Sequence, residues 1–205
     1  METLDKLIVE WGVASQTLAG EVESGDKHVV KIFPHGALLA ALDGLGHGGE
    51  AAAAANMAVR VLQTSENESI ISLLKRCHEC LRSTRGVVIS LAGFNAVDQT
   101  MTWVGVGNVE GVLLRADRAV SPSHESLLLR GGMVGRRLPL VQAAIVPVMR
   151  GDTLIFATDG VRTEFAQRRV LDAGPQQIAD RILARYATGI DDALVLVARY
   201  VGEAS

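Results

Sequence analysis

The sequence predicts an α+β domain of two antiparallel β-sheets stacked face to face with helices on the outside. Three observations predict it. Short apolar runs rich in β-branched residues cluster in the first, middle and last thirds of the chain. Helical segments lie between those clusters. The strands and helices do not alternate regularly, which argues against a parallel, doubly wound sheet. No repeat, low-complexity linker or hinge divides the 205 residues, so residues 1–205 are expected to form a single domain.

Taken in order, Leu7 to Ala19 mixes apolar and small polar residues without helical period and predicts a strand or strand pair. Val29 to Phe33 and Ala37 to Leu42 flank Pro34-His35-Gly36, a turn signal, and predict a hairpin. Glu50 to Gln63 is Ala-rich and free of Gly and Pro, which predicts a helix whose small side chains pack closely on a sheet. Glu68 to Arg82 predicts a second helix, with Ile71, Leu74 and Cys77 or His78 on one face. Strands are then predicted at Val87 to Phe94, Met101 to Val106, Val109 to Arg115, Ala143 to Val148 and Thr153 to Ala157, with turns at Asn95 to Gln99 and Gly107-Asn108. The basic, glycine-broken stretch Arg130 to Arg137 predicts a loop. Pro175 opens a helix running to Tyr186, and Ala193 to Val201 closes the chain as a strand.

Composition narrows the function classes. Apolar residues make up 48% and charged residues 21% of the chain, a globular balance, and aromatics only 4%, so the core is built from Ala, Val, Leu and Ile. A net charge of −3 with no basic run argues against a general affinity for nucleic acid. The start Met1-Glu2-Thr3-Leu4-Asp5-Lys6 lacks the basic, then long apolar pattern of a secretory leader, and no run approaches the about 20 apolar residues that span a bilayer. A cytoplasmic protein with no membrane partner is expected. Cys77 and Cys80 form an isolated Cys-x-x-Cys without further ligands at zinc spacing, and read as one core and one surface thiol.

Acids recur at strand ends. Asp26 follows Gly20-Glu21-Val22-Glu23-Ser24-Gly25; Asp43 ends an apolar run and begins Asp43-Gly44-Leu45-Gly46-His47-Gly48; Asp159 ends another and precedes Gly160; Asp191 and Asp192 precede the last strand. Singly, each is a common turn residue. Jointly, buried strands that deliver carboxylates to the rim of a core would bring together charges that repel and resist ionisation, unless a divalent cation such as Mg2+ or Mn2+ joins them. Gly44, lacking a side chain, would let its carbonyl approach such an ion. Gly46-His47-Gly48-Gly49 runs into the first helix, where backbone amides attract anions. A Walker A ending and an Asp-x-Asp-x-Thr nucleophile motif are both absent.

Ser24-Gly25-Asp26, Asp43-Gly44-Leu45-Gly46-His47-Gly48, Phe156-Ala157-Thr158-Asp159-Gly160-Val161 and Asp191-Asp192-Ala193 together resemble the ordered motifs of the PPM, or protein phosphatase 2C-like, phosphatases, in their bacterial SpoIIE/RsbU/RsbX branch. Gly105-Val106-Gly107-Asn108-Val109 and Gly131-Gly132-Met133-Val134-Gly135 agree with it, and the resemblance runs from about Gly20 to Val201. It implies a four-layer α-β-β-α sandwich and a centre of two Mn2+ or Mg2+ ions. Asp43 would bridge them, Gly44 would offer its carbonyl to one, Asp159 and Asp191 would bind the other, and Asp26 would act directly or through water. Leu194 stands where the last motif usually has Thr, so Asp192 remains an alternative to Asp191.

The implied reaction is attack of a metal-activated water on a phosphoserine or phosphothreonine, with no protein nucleophile. Asp43 and Asp159 would carry the catalysis. His47 is either a general acid for the leaving alkoxide or a hydrogen-bonding loop residue; His28, His35, His78 and His124 read as structural or surface groups. Eukaryotic relatives hold the phosphate with an Arg upstream of the first Asp. The first Arg here is Arg60, which leaves metals and backbone amides, or a basic group from elsewhere, to hold the phosphate. The short length leaves no room for the regulatory or membrane segments of RsbU-like and SpoIIE-like members and is similar to the stand-alone RsbX type. This implies phosphorylated STAS-domain partners of the RsbS/RsbR stressosome type. The alternatives are an RsbU-like phosphatase of an anti-anti-sigma factor, a small-phosphoester hydrolase and a non-catalytic pseudophosphatase module.

Overall fold

A computed structural model describes residues 8–64, 68–117, 119–165 and 172–202; the Met1 to Lys6 stretch read above for a leader lies outside them. The N-terminal strand β1 is Val9–Gln16. The hairpin follows as β2, Asp26–Phe33, and β3, Gly36–Gly44. Helices α1, Gly49–Gln63, and α2, Ile70–Cys80, come next. Strands β4, Val87–Asn95, β5, Thr100–Val106, and β6, Glu110–Leu114, form the middle. Three short strands, β7 (His124–Ser126), β8 (Leu129–Arg130) and β9 (Ala144–Pro147), precede β10, Thr153–Ala157. A 3-10 turn at Thr163–Phe165, helix α3 at Pro175–Tyr186 and strand β11 at Ala193–Tyr200 complete the chain.

One sheet has the order β1-β11-β10-β6-β7, the other β2-β3-β4-β5-β8 with β9 paired to β5. Pairing is antiparallel except at β5 and β8, which run parallel through Gly105↔Leu129 and Val106↔Arg130. The stretch predicted to be a loop from Arg130 thus begins as the end of a strand. Strands β7 and β8 were not predicted, because two or three residues cannot display a period of two.

The β3 sequence shows why the layers stack. Ala37 to Leu42 is apolar without alternation because both faces of the strand are covered. Ala37, Leu39 and Ala41 face the space between the sheets, where they meet Phe94, Met101, Trp103, Leu113, Phe156 and Leu196. Leu38, Ala40 and Leu42 face Ala54, Ala55, Ala58 and Leu62 of α1 and Leu73, Leu74 and Cys77 of α2. β11 divides the same way, with Leu194, Leu196 and Ala198 inward and Val195 and Val197 against Ile178, Ala179 and Ile182 of α3. The result is the predicted α-β-β-α sandwich, with α1 and α2 on one outer face and α3 on the other. At about 25 cal/mol per Å² of apolar area removed from water, these three packed interfaces supply most of the drive to fold.

Local signals agree with the elements. The Ser69 hydroxyl caps α2 by accepting from the Ser72 amide, and Pro175 opens α3. Cys77 is buried and Cys80 exposed, as expected for two free thiols on one helix. His78 is buried, and its Nδ1 accepts a 2.9 Å hydrogen bond from the Gly135 amide, a structural role.

Candidate metal and phosphoryl site

The carboxylates meet where both sheets end. Asp26 and Asp43 are cross-strand partners at the open end of the β2–β3 hairpin. Directly opposed residues of an antiparallel pair share a face, with Cβ atoms about 5 Å apart. That face is the inter-sheet one, since Asp43 continues the row Ala37, Leu39, Ala41. From the other sheet, Thr158, just past the end of β10, donates its hydroxyl to Asp26 Oδ2 at 2.6 Å. Asp159 follows it, and Asp191 stands at the entry to β11.

No Lys or Arg pairs with Asp26, Asp43, Asp159 or Asp191 among the described residues. Lys27 donates instead to the Ser24 carbonyl. The electrostatic consequence is large. Burial, and secondarily the Asp192, Asp159 and Asp191 charges, push Asp26 up to about 7 despite the Thr158 hydrogen bond. Burial, then Asp26, Asp159, Asp191 and Asp192, push Asp43 up to about 8. Burial and then Asp191 also raise Asp159, against hydrogen bonds from Asn108 and backbone amides. Such a set of hard oxygen donors, unable to ionise fully alone, fits a divalent cation. In this structure the four form an open cluster: among the described residues no group of three or more acidic, His or Cys side chains stands arranged to hold a metal ion.

The adjacent acids of the last motif have separate tasks. Asp192 is buried; its Oδ1 accepts from the Leu18 amide at 2.8 Å and its Oδ2 from the Gly25 amide at 2.7 Å. It therefore pins the loop ahead of Asp26 to the start of β11. Asp191 is exposed, and its Oδ1 accepts from the Asp192 amide at 2.8 Å. Of the two, only Asp191 is exposed, and its charge bears on Asp26, Asp43 and Asp159.

Gly44 has a packing reason the sequence did not show. A Cβ there would collide with the Ala51 carbonyl, so its absence lets the end of β3 press onto α1. The loop beyond turns at Gly46 and Gly48, both with positive φ, and α1 begins without a side-chain cap. His47 is 64% exposed and its Nδ1 lies 2.5 Å from Glu21 Oε1. Since a carboxylate only accepts, the ring donates to it, and His47 is engaged by Glu21 rather than by the aspartates.

Three contributors were not legible beforehand. Glu21 was seen only as part of the run before Asp26. Asn108 was read as a turn residue, yet its Nδ2 donates to Asp159 Oδ2 at 2.7 Å across 51 residues of sequence. Thr158 stands within its motif, and the motif alone assigns it no role. Asn108 and Thr158 carry a signal in the stretches that bear the resemblance, and Asn108 also in its place beside Gly107, whose positive φ makes the tight turn from β5 to β6.

Comparison with known proteins bears on the fold and the family. The fold is that of the protein phosphatase 2C-like phosphatases: RsbX in complex with magnesium superposes with a TM-score of 0.83 at 21% identity, covering 97% of this chain and 98% of that one. A chain solved in work on the bacterial stressosome, described as a modular system adapted to control secondary messenger signaling, gives a TM-score of 0.84 at 28% identity over 93% of this chain and 99% of its own. Phosphoserine phosphatase RsbX of Bacillus subtilis (strain 168) is 23% identical over 180 residues, 87% of each protein. The family described as Stage II sporulation protein E (SpoIIE) matches residues 34–201, and the chain belongs to that family. No helix among the described residues is long and apolar enough to cross a membrane.

Proposed function

We propose that this protein is a metal-dependent serine/threonine phosphoprotein phosphatase that acts in the cytoplasm on phosphorylated STAS-domain proteins of the RsbS/RsbR type and so resets a stressosome. The observation that carries the reaction class is the facing pair Asp26, buried, and Asp43, half-buried, set against each other and left without a protein cation among the described residues. Asp26, Asp43, Asp159, Asp191 and the Gly44 carbonyl would hold two Mg2+ or Mn2+ ions. Such ions, once bound, neutralise phosphoryl oxygens and acidify the water that attacks phosphorus.

The chain's own residues prepare the site. Asp26 and Asp43 give up the proton that burial makes them retain, and Thr158 orients Asp26 through its hydroxyl. Asn108 fixes the rotamer of Asp159, and Asp192 holds the loop before Asp26 in place. His47 and Glu21 brace the glycine-rich loop ahead of α1, which favours the loop role over proton donation for His47. The substrate class rests on the RsbX relative and the stressosome neighbour, which match this chain over most of its length and of their own.

The test is phosphate release from phosphorylated RsbS/RsbR-type STAS-domain proteins with Mn2+, with Mg2+ and with chelator. Release that needs the metal and vanishes in Asp43→Ala is expected. Equal release from Asp43→Ala would overturn the role of the cluster. No release with any metal or phosphoprotein would leave a binding module.

A further inference from the structure

The carboxylate cluster is negative and so is its proposed substrate, yet no Lys or Arg among the described residues pairs with the cluster. A guanidinium from another part of the fold stands at the loop that follows Asp43. Arg85 lies in the connection from α2 to β4, and that connection is stitched to the segment after Asp43: the Leu45 amide donates to the Gly86 carbonyl at 3.1 Å. Gly86 adopts a positive φ and rests on Met133 and Val134. Val134 in turn exchanges backbone hydrogen bonds of 2.9 and 3.0 Å with Val87. The backbone that carries Arg85 is thus held from two sides.

The side chain points back over the glycine-rich loop. A Cβ on Gly46 would lie 2.9 Å from Arg85 Nη1, so the guanidinium covers the face that glycine leaves open. Its Nη2 pairs with Glu50 in the first turn of α1. The two side chains are 47% and 72% exposed. An exposed pair of this kind contributes only about 0–1 kcal/mol. A phosphoryl dianion can bind the same fork through two charge-assisted hydrogen bonds, a stronger interaction than the one with Glu50. Arg136 donates its Nε to the Arg85 carbonyl at 3.4 Å and lines the same shallow depression with Glu50, Thr84 and Arg85, adding a second positive charge.

We propose that Arg85 is the cationic group that receives the substrate's phosphoryl oxygens, and that Glu50 holds it in place until a phosphoryl group displaces the carboxylate. The inference rests on the phosphatase reading and adds to it a specificity-determining residue. It makes Glu50 a competitor of the substrate, so that the two partners of one ion pair have opposite effects on anion binding.

The test measures binding of inorganic phosphate to the Mg2+-supplemented protein by calorimetry, together with KM and kcat for p-nitrophenyl phosphate. Arg85→Ala is expected to weaken phosphate about tenfold, equivalent to loss of one charge-assisted contact, and to raise KM more than it lowers kcat. Arg85→Lys should recover part of the affinity, since it keeps the charge without the fork. Glu50→Gln should tighten phosphate about two- to fivefold. Unchanged phosphate affinity in Arg85→Ala overturns the proposal, including the case where only KM for a phosphoprotein rises, which would put Arg85 on the partner's surface instead. Equal weakening by Arg85→Ala and Glu50→Gln also overturns it, because the pair would then serve only the loop. If the wild-type protein hydrolyses no phosphoester yet binds phosphate through Arg85, the phosphatase reading fails and with it the substrate role, and only the anion-binding role of Arg85 stands. If turnover is intact and phosphate binding ignores Arg85, the reverse holds.

Discussion

Strands β6 and β10 run antiparallel, and each end of the pair holds an acid in a different setting, buried Asp152 at one and exposed Asp159 at the other. At one end Asp152, 1% exposed, accepts from Arg115 Nη1 at 2.7 Å and from the Ala116 and Met149 amides at 2.9 and 3.1 Å. Arg115 also pairs with Glu125 and donates to the Pro147 carbonyl at 2.7 Å. At the other end Asp159 receives a neutral amide, Asn108, and lies beside Asp26, Asp43 and Asp191. The first end is electrostatically closed by the protein itself. The second has donors that orient carboxylates but no cation that neutralises them. The two ends separate two uses of charge: fold-stabilising charge is paired internally, and charge left uncompensated at the cost of stability marks the site that takes an ion.

Substitution of isosteric amides breaks this comparison most sharply. Asp43→Asn should lower phosphatase turnover about a thousandfold, since it removes a donor the reaction needs, while raising the thermal midpoint of the metal-free protein. A lower midpoint in chelator would mean that Asp43 is already compensated in the fold. Asp152→Asn should do the opposite. It takes one of two carboxylates from buried Arg115, leaving Glu125 alone to pair with it, and should destabilise the protein by about 3 kcal/mol in urea titrations, leaving metal-dependent turnover in the folded fraction intact.

pH sharpens the contrast further. Asp26 and Asp43 titrate near 7 and 8 in the fold against an ordinary 3.8, so the folded chain holds more protons than the unfolded one across that window. Their contribution is fully present below about pH 4 and is lost as pH rises through the folded values. Melting curves in chelator should therefore fall between pH 5 and pH 8 by several degrees more in wild type than in Asp43→Asn, and saturating Mg2+ should flatten the fall. Curves that fall equally in both proteins would contradict the uncompensated pair.

The smaller effects concern orientation. Asn108→Ala should weaken Mg2+ binding about tenfold by freeing Asp159, measured by calorimetry, with little change in the melting of the metal-free protein. His47→Gln should keep turnover within about threefold and leave the alkaline and acid limbs of the pH–rate profile in place, as a loop brace requires. Loss of one limb would restore His47 as a proton donor.

The sequence was most informative where a signal is local. β10 and α3 begin and end where their apolar run and opening proline predict. Asp26, Asp43 and Asp159 were legible as acids at strand ends, because an apolar run that stops at an acid marks a rim. That Asp26 and Asp43 oppose one another depends on register across the hairpin, and that Asp159 joins them depends on the sheets stacking. Asp192 looked like a second ligand candidate because adjacent acids are indistinguishable in sequence; burial and the Leu18 and Gly25 amides, 174 and 167 residues away, separate them. Asn108 and Glu21 were missed for the same reason, since their partners are remote in the chain.

The two-residue turn at Pro34 and His35 has a consequence for how such a protein can change over generations. It lies at the far end of the hairpin from the acids, and it sets the count that brings Asp26 opposite Asp43. One residue gained or lost there would shift β2 against β3 and turn Asp26 toward the helical layer, while every side chain of the catalytic set stayed the same. The turn is thus a ruler: point substitutions on it are tolerable, but insertions and deletions are not, and lineages that keep the activity should keep its length.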